Sequence, residues 1–363
     1  MKRVKNFSAG PATLPLSVLE EAQAEFLDYA GTGMSIIEHS HRGKAYDAVH
    51  QEAIALFHEL LGIGDEYKVA FFGGGASTQF ALSAMNLLTK DKTADYLVTG
   101  SWSKKAVAEA KHFGQVHSAF DPSADGGSFN RVPASAADCT FSDKPVYVHL
   151  TTNNTIAGTQ YHSFPECPAP IIADMSSDFL WAPFDPKPFG MLYAGAQKNV
   201  GPAGVTVVII RDDLLEICNE GLPSMFDYKL QTSKQSLYNT PPVFPIYILG
   251  KTLKWVKANG GLAGMKARNE EKGKILYDAL EEMKDFYRCP VEAGSRSMMN
   301  VVFRLPSEDL EKQFIAEGAE AELMSLKGHR SVGGVRVSIY NAAEKAWVES
   351  LVDFMKDFAG KNG

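Results

Sequence analysis

Cysteine is scarce in this chain. Four occur, at 139, 167, 218 and 289, far apart and without paired or metal-type spacing, which argues against a disulfide scaffold and a thiolate metal site. No metal is therefore expected, and reduced thiols in a cytoplasmic protein fit the pattern. Long runs of basic charge are missing too. Charged residues make up 22% of the sequence and the net charge of −7 is spread along it, so neither nucleic acid nor an anionic membrane is an expected partner. No apolar stretch approaches the length of a membrane-spanning helix, and the start "MKRVKNFSAGPATLP" has basic residues but no apolar segment behind them, so no signal peptide is expected. Internal repeats and low-complexity segments are absent. What remains is a soluble composition, 45% hydrophobic over 363 residues, long enough for two domains and a sizeable core.

Helical periodicity is clear over 14–30 and 44–63. The stretch "YKVAFFGGGASTQFALSAMNLL" (67–88) reads as a strand, a glycine-rich turn and a helix. Further strands are expected in 94–100, 145–151, 170–176, 191–196 and 205–210, with helical sequence between several of them, such as 103–114. Several are apolar on both faces, as strands covered on both sides must be. This alternation predicts an α/β domain around a largely parallel sheet. After about residue 254 the character changes: a long helix (262–283), a strand within 297–305, an amphipathic segment (307–327), another strand within 333–341 and a final helix (343–359) predict a smaller α+β domain.

One lysine stands out. In "YAGAQKNVGPAG" (193–204), Lys198 lies between small or apolar residues and a Gly-Pro-Ala-Gly turn, with the buried-looking "VTVVII" behind it. Asp174 closes "PIIAD", and a carboxylate at that end of a parallel strand faces the crevice where α/β proteins bind ligands. The turn "GGGAST" (73–78) offers bare amides and a helix start to a phosphate, without the spacing of a nucleotide-binding loop. Trp102, just past another strand end, is a flat surface on which a ring could stack. Each has an ordinary alternative: a solvated lysine, a helix cap, a structural turn, a core tryptophan. Together an amine, an acid, a phosphate cradle and an aromatic face specify a pyridoxal phosphate site.

The sequence resembles the phosphoserine aminotransferase family, of the fold type I pyridoxal-phosphate enzymes, nearly end to end. The resemblance rests on "NFSAGPATLP" (6–15), "EHSHRGKAY" (38–46), "GGGASTQF" (73–80), "NNTIAGTQY" (153–161), "ADMSSDF" (173–179), "YAGAQKNVGPAG" (193–204), "YNTPPVFPIY" (238–247) and "GHRSVGGVRVSIYNA" (328–342), in matching order and spacing. It implies a large domain over 16–254 with a mostly parallel seven-stranded sheet, and a small domain from 1–15 and 255–363. It further implies amino transfer from L-glutamate to a phosphorylated 2-oxo acid in serine biosynthesis, extending to the four-carbon phosphorylated 2-oxo acid of vitamin B6 synthesis, by a homodimer.

By the same resemblance, Lys198 would hold the cofactor covalently and carry the substrate proton, Asp174 would pair with the ring nitrogen, and Trp102 would stack on the ring. Thr155 and Ser176 would sit near the ring's phenolate oxygen. Ala76, Ser77 and Gln197 would bind the cofactor phosphate, with Asn239 and Thr240 reaching it from the partner subunit. Arg336 would clamp the substrate α-carboxylate, while His41, Arg42, His329 and Arg330 would form the pocket for its distal phosphate or carboxylate. Two departures stand out. The turn carries Ala76-Ser77 where some members have an arginine, and Asn153-Asn154-Thr155 replaces the common Asn-Glu-Thr. An aminotransferase of alanine, serine or glyoxylate would have no use for four basic residues facing a distal anion. A cysteine desulfurase would need a cysteine in a mobile loop. A phosphate-ligand binding module would form no covalent lysine adduct.

Overall fold

The computed structural model describes residues 3–363. Runs of branched and aliphatic residues such as "VTVVII" have no polar face to offer water, and they form the interior of a seven-stranded sheet. Its spatial order is Tyr67–Phe72, Thr206–Arg211, Phe189–Gly195, Ile171–Asp174, Val148–Thr151, Thr93–Leu97 and Gln115–Phe120. Thr206–Arg211 runs against both of its neighbours, and every other pairing is parallel.

Alternate residues of each strand serve opposite faces. Phe71, Leu150, Ala173 and Leu192 join the core formed with helices Lys44–Leu61 and Val243–Ala258. Phe72, Tyr96, Ile172 and Met191 join the core formed with Gly75–Leu87 and Ser101–Ala110. Each large side chain so buried stabilises the fold by about 1.5–3 kcal/mol before entropy is counted. The two faces together fix the sheet.

A third core gathers Phe7, Leu276, Val301, Val337, Trp347 and Phe358. Here the antiparallel pair Asn300–Phe303 and Val335–Ser338 is covered by helices Gly261–Glu282, Glu308–Glu320 and Lys345–Asn362. Phe7 reaches this core because Lys5–Asn6 pairs in parallel with Leu323–Met324, and the Ser338 amide donates to the Phe7 carbonyl at 3.2 Å.

Two helices differ from the sequence expectation. The helix expected over 14–30 spans only Leu16–Ala24. Gly31 and Gly33 follow at positive φ, and Asp28 Oδ1 accepts the Gly33 amide at 2.7 Å, so the chain turns instead. Helix Val243–Ala258 runs through residue 254, where the composition suggests a change of character. Among the described residues, no helix is long and apolar enough to cross a membrane.

The topology creates a crevice. The connection after Thr93–Leu97 leads outward to the edge strand Gln115–Phe120, whereas that after Val148–Thr151 leads the other way, to Ile171–Asp174. Between the carboxyl ends of those two strands the connections part, which is where open α/β sheets bind ligands.

Candidate active site

Asp174 is the last residue of its strand, level with Thr151 on one side and Tyr193 on the other. It is 4% exposed. Ser176 donates to Asp174 Oδ1 twice, from its amide at 3.0 Å and its hydroxyl at 2.6 Å, and the same hydroxyl oxygen accepts the Gly195 amide at 3.1 Å. Both bonds land on one oxygen, and among the described residues no hydrogen bond reaches Oδ2. Burial raises the carboxyl above its ordinary range, while the Lys198 charge and the two Ser176 bonds pull it back.

Lys198 follows the strand Phe189–Gly195 by three residues. Its Nζ lies 5.3 Å from the centroid of the Trp102 ring and has no hydrogen bond or ion pair among the described residues. Burial lowers its amine below the usual lysine value; Asp174 opposes the change, and Arg336 adds to it. A shift in that direction favours the neutral amine, the form that acts as a nucleophile.

Trp102 lies in the first turn of helix Ser101–Ala110. Its Nε1 donates to Thr155 Oγ1 at 3.0 Å, which fixes the plane of the ring. Thr155 also binds Arg336, whose Nη1 donates to the Thr155 carbonyl at 3.2 Å. Arg336 Nε is buried with no partner, an orphan that a carboxylate would satisfy. Ala76 and Ser77 occupy the first turn of Gly75–Leu87, and no side chain caps that helix, so its leading amides are free to meet an anion. Gly74 and Gly75 both take positive φ to make the turn. An acid at one end, amides at the other, and an aromatic face and an amine between them suit a flat phosphorylated heterocycle with a carbonyl. Among the described residues, no three His, Cys, Asp or Glu side chains converge as metal ligands.

The expected basic residues divide into two groups. His329 and Arg336 line one cavity of about 510 Å³. His41 and Arg42 line a second, with Leu237, and Arg42 Nε donates to His41 Nε2 at 3.3 Å. Asn239 and Thr240, exposed, follow Leu237 closely in the chain. Among the described residues, no hydrogen bond joins His41, Arg42, Asn239 or Thr240 to Lys198, Asp174, Trp102 or Arg336. Within one chain His41 and Arg42 thus line a different cavity from His329 and Arg336. Arg330 is exposed beside His329.

Three further residues surround the site. Gly10, at φ +144°, lies so close that an added Cβ would come within 3.2 Å of Lys198 Cγ, and the Ala12 amide donates to the Gln197 carbonyl at 2.8 Å. The sequence offered "SAGPAT" as part of a motif, but its contact with Lys198 spans most of the chain. Asp178, 5% exposed, accepts from the Thr152 hydroxyl and from Gln160 Nε2, the latter at 3.1 Å; burial pushes its carboxyl up to about 7. Asn154 donates through Nδ2 to Thr99 Oγ1 at 2.9 Å, while its Oδ1 is unpartnered and faces Gly100 so closely that a Cβ there would lie 2.2 Å away.

Comparison with known proteins agrees with this geometry. The family model for class-V aminotransferases matches residues 4–351. The phosphoserine aminotransferase of Desulfosudis oleivorans is 53% identical over 364 residues, covering 100% of this chain and 99% of that protein. The structure of phosphoserine aminotransferase from Bacillus circulans subsp. alkalophilus superposes with a TM-score of 0.97 at 50% identity, covering 100% of both chains. A pyridoxal-phosphate-bound phosphoserine aminotransferase from Trichomonas vaginalis gives a TM-score of 0.92 at 40% identity, covering 98% of this chain and 100% of that one.

Proposed function

The chain belongs to the class-V aminotransferase family, and from that premise we propose that it transfers the amino group of L-glutamate to 3-phosphooxypyruvate, giving 2-oxoglutarate and O-phospho-L-serine, with pyridoxal 5'-phosphate as cofactor. The observation that carries this reading is the unpaired Lys198 amine beside Asp174 and Trp102, with the orphaned Arg336 guanidinium nearby.

When bound, pyridoxal phosphate supplies a carbonyl for amines and an electron sink that acidifies the substrate's α-C–H bond. The rest is the work of the chain. Asp174, steadied by Ser176, uses Oδ2 to keep a proton on the ring nitrogen. Trp102 holds one face of the ring and excludes water from it. The Thr155 oxygen already accepts from Trp102, so its own proton is available for the ring's phenolate oxygen. The amides of Ala76 and Ser77, with Gln197, hold the phosphate. Lys198 anchors the cofactor and then, as a free amine, moves the proton at the substrate α-carbon.

Arg336 grips the α-carboxylate through a two-pronged fork. His329 and Arg330 meet the distal anion. His41, Arg42, Asn239 and Thr240 serve the site of a second copy of the chain, which accounts for their separation from Lys198 within one protomer. An exposed apolar surface supports such pairing: Leu19, Phe26 and Phe244 line one groove with Leu27, which is 82% exposed. Four unpaired thiols suit a cytoplasmic setting. The same distal pocket accommodates the four-carbon phosphorylated 2-oxo acid.

The test is glutamate-dependent amino transfer to 3-phosphooxypyruvate and to pyruvate, measured side by side. Strong preference for the phosphorylated acceptor is expected. Equal turnover of the two, or none with the phosphorylated one, overturns the reading.

A further inference from the structure

The cavity beside Arg336 is lined differently from the surface of a chain with net charge −7. Among the described residues that line it there is no Asp or Glu, yet Lys104, Arg288, Arg304, His329 and Arg336 all do so. Of these, Arg304 is already neutralised: Glu311, 5% exposed, accepts from its Nε and, at 3.4 Å, from its Nη2. Lys104 and Arg288 are not. Neither has a carboxylate within ion-pair distance among the described residues, and both are exposed.

Their placement is specific. Lys104 stands on helix Ser101–Ala110, two residues beyond Trp102, with its Nζ 4.8 Å from the Phe129 centroid. Arg288 lines the same cavity from a different part of the chain, paired with Arg304 by reciprocal backbone bonds of 2.9 Å. With Arg304 held by Glu311, Arg288 is the member of this pair whose charge is uncompensated among the described residues. His329 lines the same cavity, and its proton affinity is lowered first by burial and then by the charges of Arg336, Arg330 and Lys105.

We infer that Lys104 and Arg288 form a cationic vestibule that captures phosphorylated substrates and passes them to Arg336, and so set specificity for dianionic amino and oxo acids. A low-dielectric cleft lined by one sign of charge focuses the field and raises local anion concentration. The inference rests on the phosphorylated-substrate reading above. In it, neither side chain touches the reacting atoms.

The experiment uses holoenzyme and follows the change in the cofactor's visible band on rapid mixing with O-phospho-L-serine or L-alanine, at low and high salt. With phosphoserine, the Lys104→Gln/Arg288→Gln double variant should associate about five- to tenfold more slowly than wild type at low salt, the gap shrinking to about twofold or less near 0.5 M salt. Alanine, which has no distal anion, should react equally with both proteins. A double variant that matches wild type with phosphoserine at low salt overturns the proposal. So does a loss that is equal for alanine and independent of salt, since the residues would then be shaping the cleft rather than its field. A wild type that responds to alanine and not to phosphoserine removes the substrate reading, and the vestibule's role with it.

Discussion

Replacing Arg336 by lysine separates charge from geometry at the substrate clamp. Among the described residues the guanidinium makes one hydrogen bond, from Nη1 to the Thr155 carbonyl at 3.2 Å, and its buried Nε has no partner. Folding gains little from such a group, about 1 kcal/mol or less for the single bond, so Arg336→Lys should melt close to wild type. Binding is different. An arginine fork gives a carboxylate two parallel charge-assisted bonds; lysine keeps the charge and loses one of them. Losing that bond costs about 1.5–3 kcal/mol, roughly a ten- to hundredfold fall in kcat/KM. Arg336→Ala loses both bonds and should fall further. Every amino donor brings an α-carboxylate, so phosphoserine, glutamate and alanine should suffer by similar factors. The assay is kcat/KM for the three donors with each variant, alongside thermal melts. A defect confined to phosphoserine would show that Arg336 reads the distal phosphate, and an unfolded Arg336→Lys would show that the orphaned Nε had been misread.

Lys198→Ala should lose the visible cofactor band and nearly all transfer while staying folded, because no other amine lies beside both Asp174 and Trp102; borohydride reduction and peptide mapping that label a different lysine would disprove this. Asp174→Asn can keep both Ser176 bonds through its carbonyl oxygen but puts an N–H donor where the ring nitrogen needs an acceptor. Single-turnover proton transfer should fall by about a hundred- to thousandfold, and a variant within about twofold of wild type contradicts the role. Asp178 gives a pH prediction. Its carboxyl is raised from the ordinary 3.8 to about 7, so between those values the folded chain holds a proton that the unfolded chain releases. Its contribution to stability therefore falls as pH rises from about 4 to about 7 and is level above that. Asp178→Asn should flatten this slope in denaturant titrations at stepped pH; an unchanged slope would show that the group titrates alike in both states.

The sequence told most about strands covered on both faces. The expected segments 67–72, 170–176, 191–196 and 205–210 coincide closely with strands of the sheet. The same property hid the direction of Thr206–Arg211: a strand buried on both sides reads identically whichever way it runs. Gln115–Phe120 escaped notice because it is an edge strand, half-exposed and polar through "QVHS", with no apolar period to see. At the site, Lys198, Asp174 and Trp102 were legible because each follows or ends an apolar strand. Asp178 and Gly10 were not. Their importance comes from contacts with Gln160 and Lys198 that no local pattern encodes.

The strand Lys5–Asn6 carries a consequence for how the molecule is made. Its partner, Leu323–Met324, leaves the ribosome only after every strand of the large sheet, and the Ser338 amide that holds Phe7 leaves later still. Until then the segment that lays Gly10 against the Lys198 stem and ties Ala12 to Gln197 lacks its anchor on the smaller core. The sheet can form from the nascent chain, but the seat of the reactive lysine is finished last. A polypeptide cut short before residue 323 could carry every group that surrounds the amine on the sheet and still lack the strand pairing that anchors its cover.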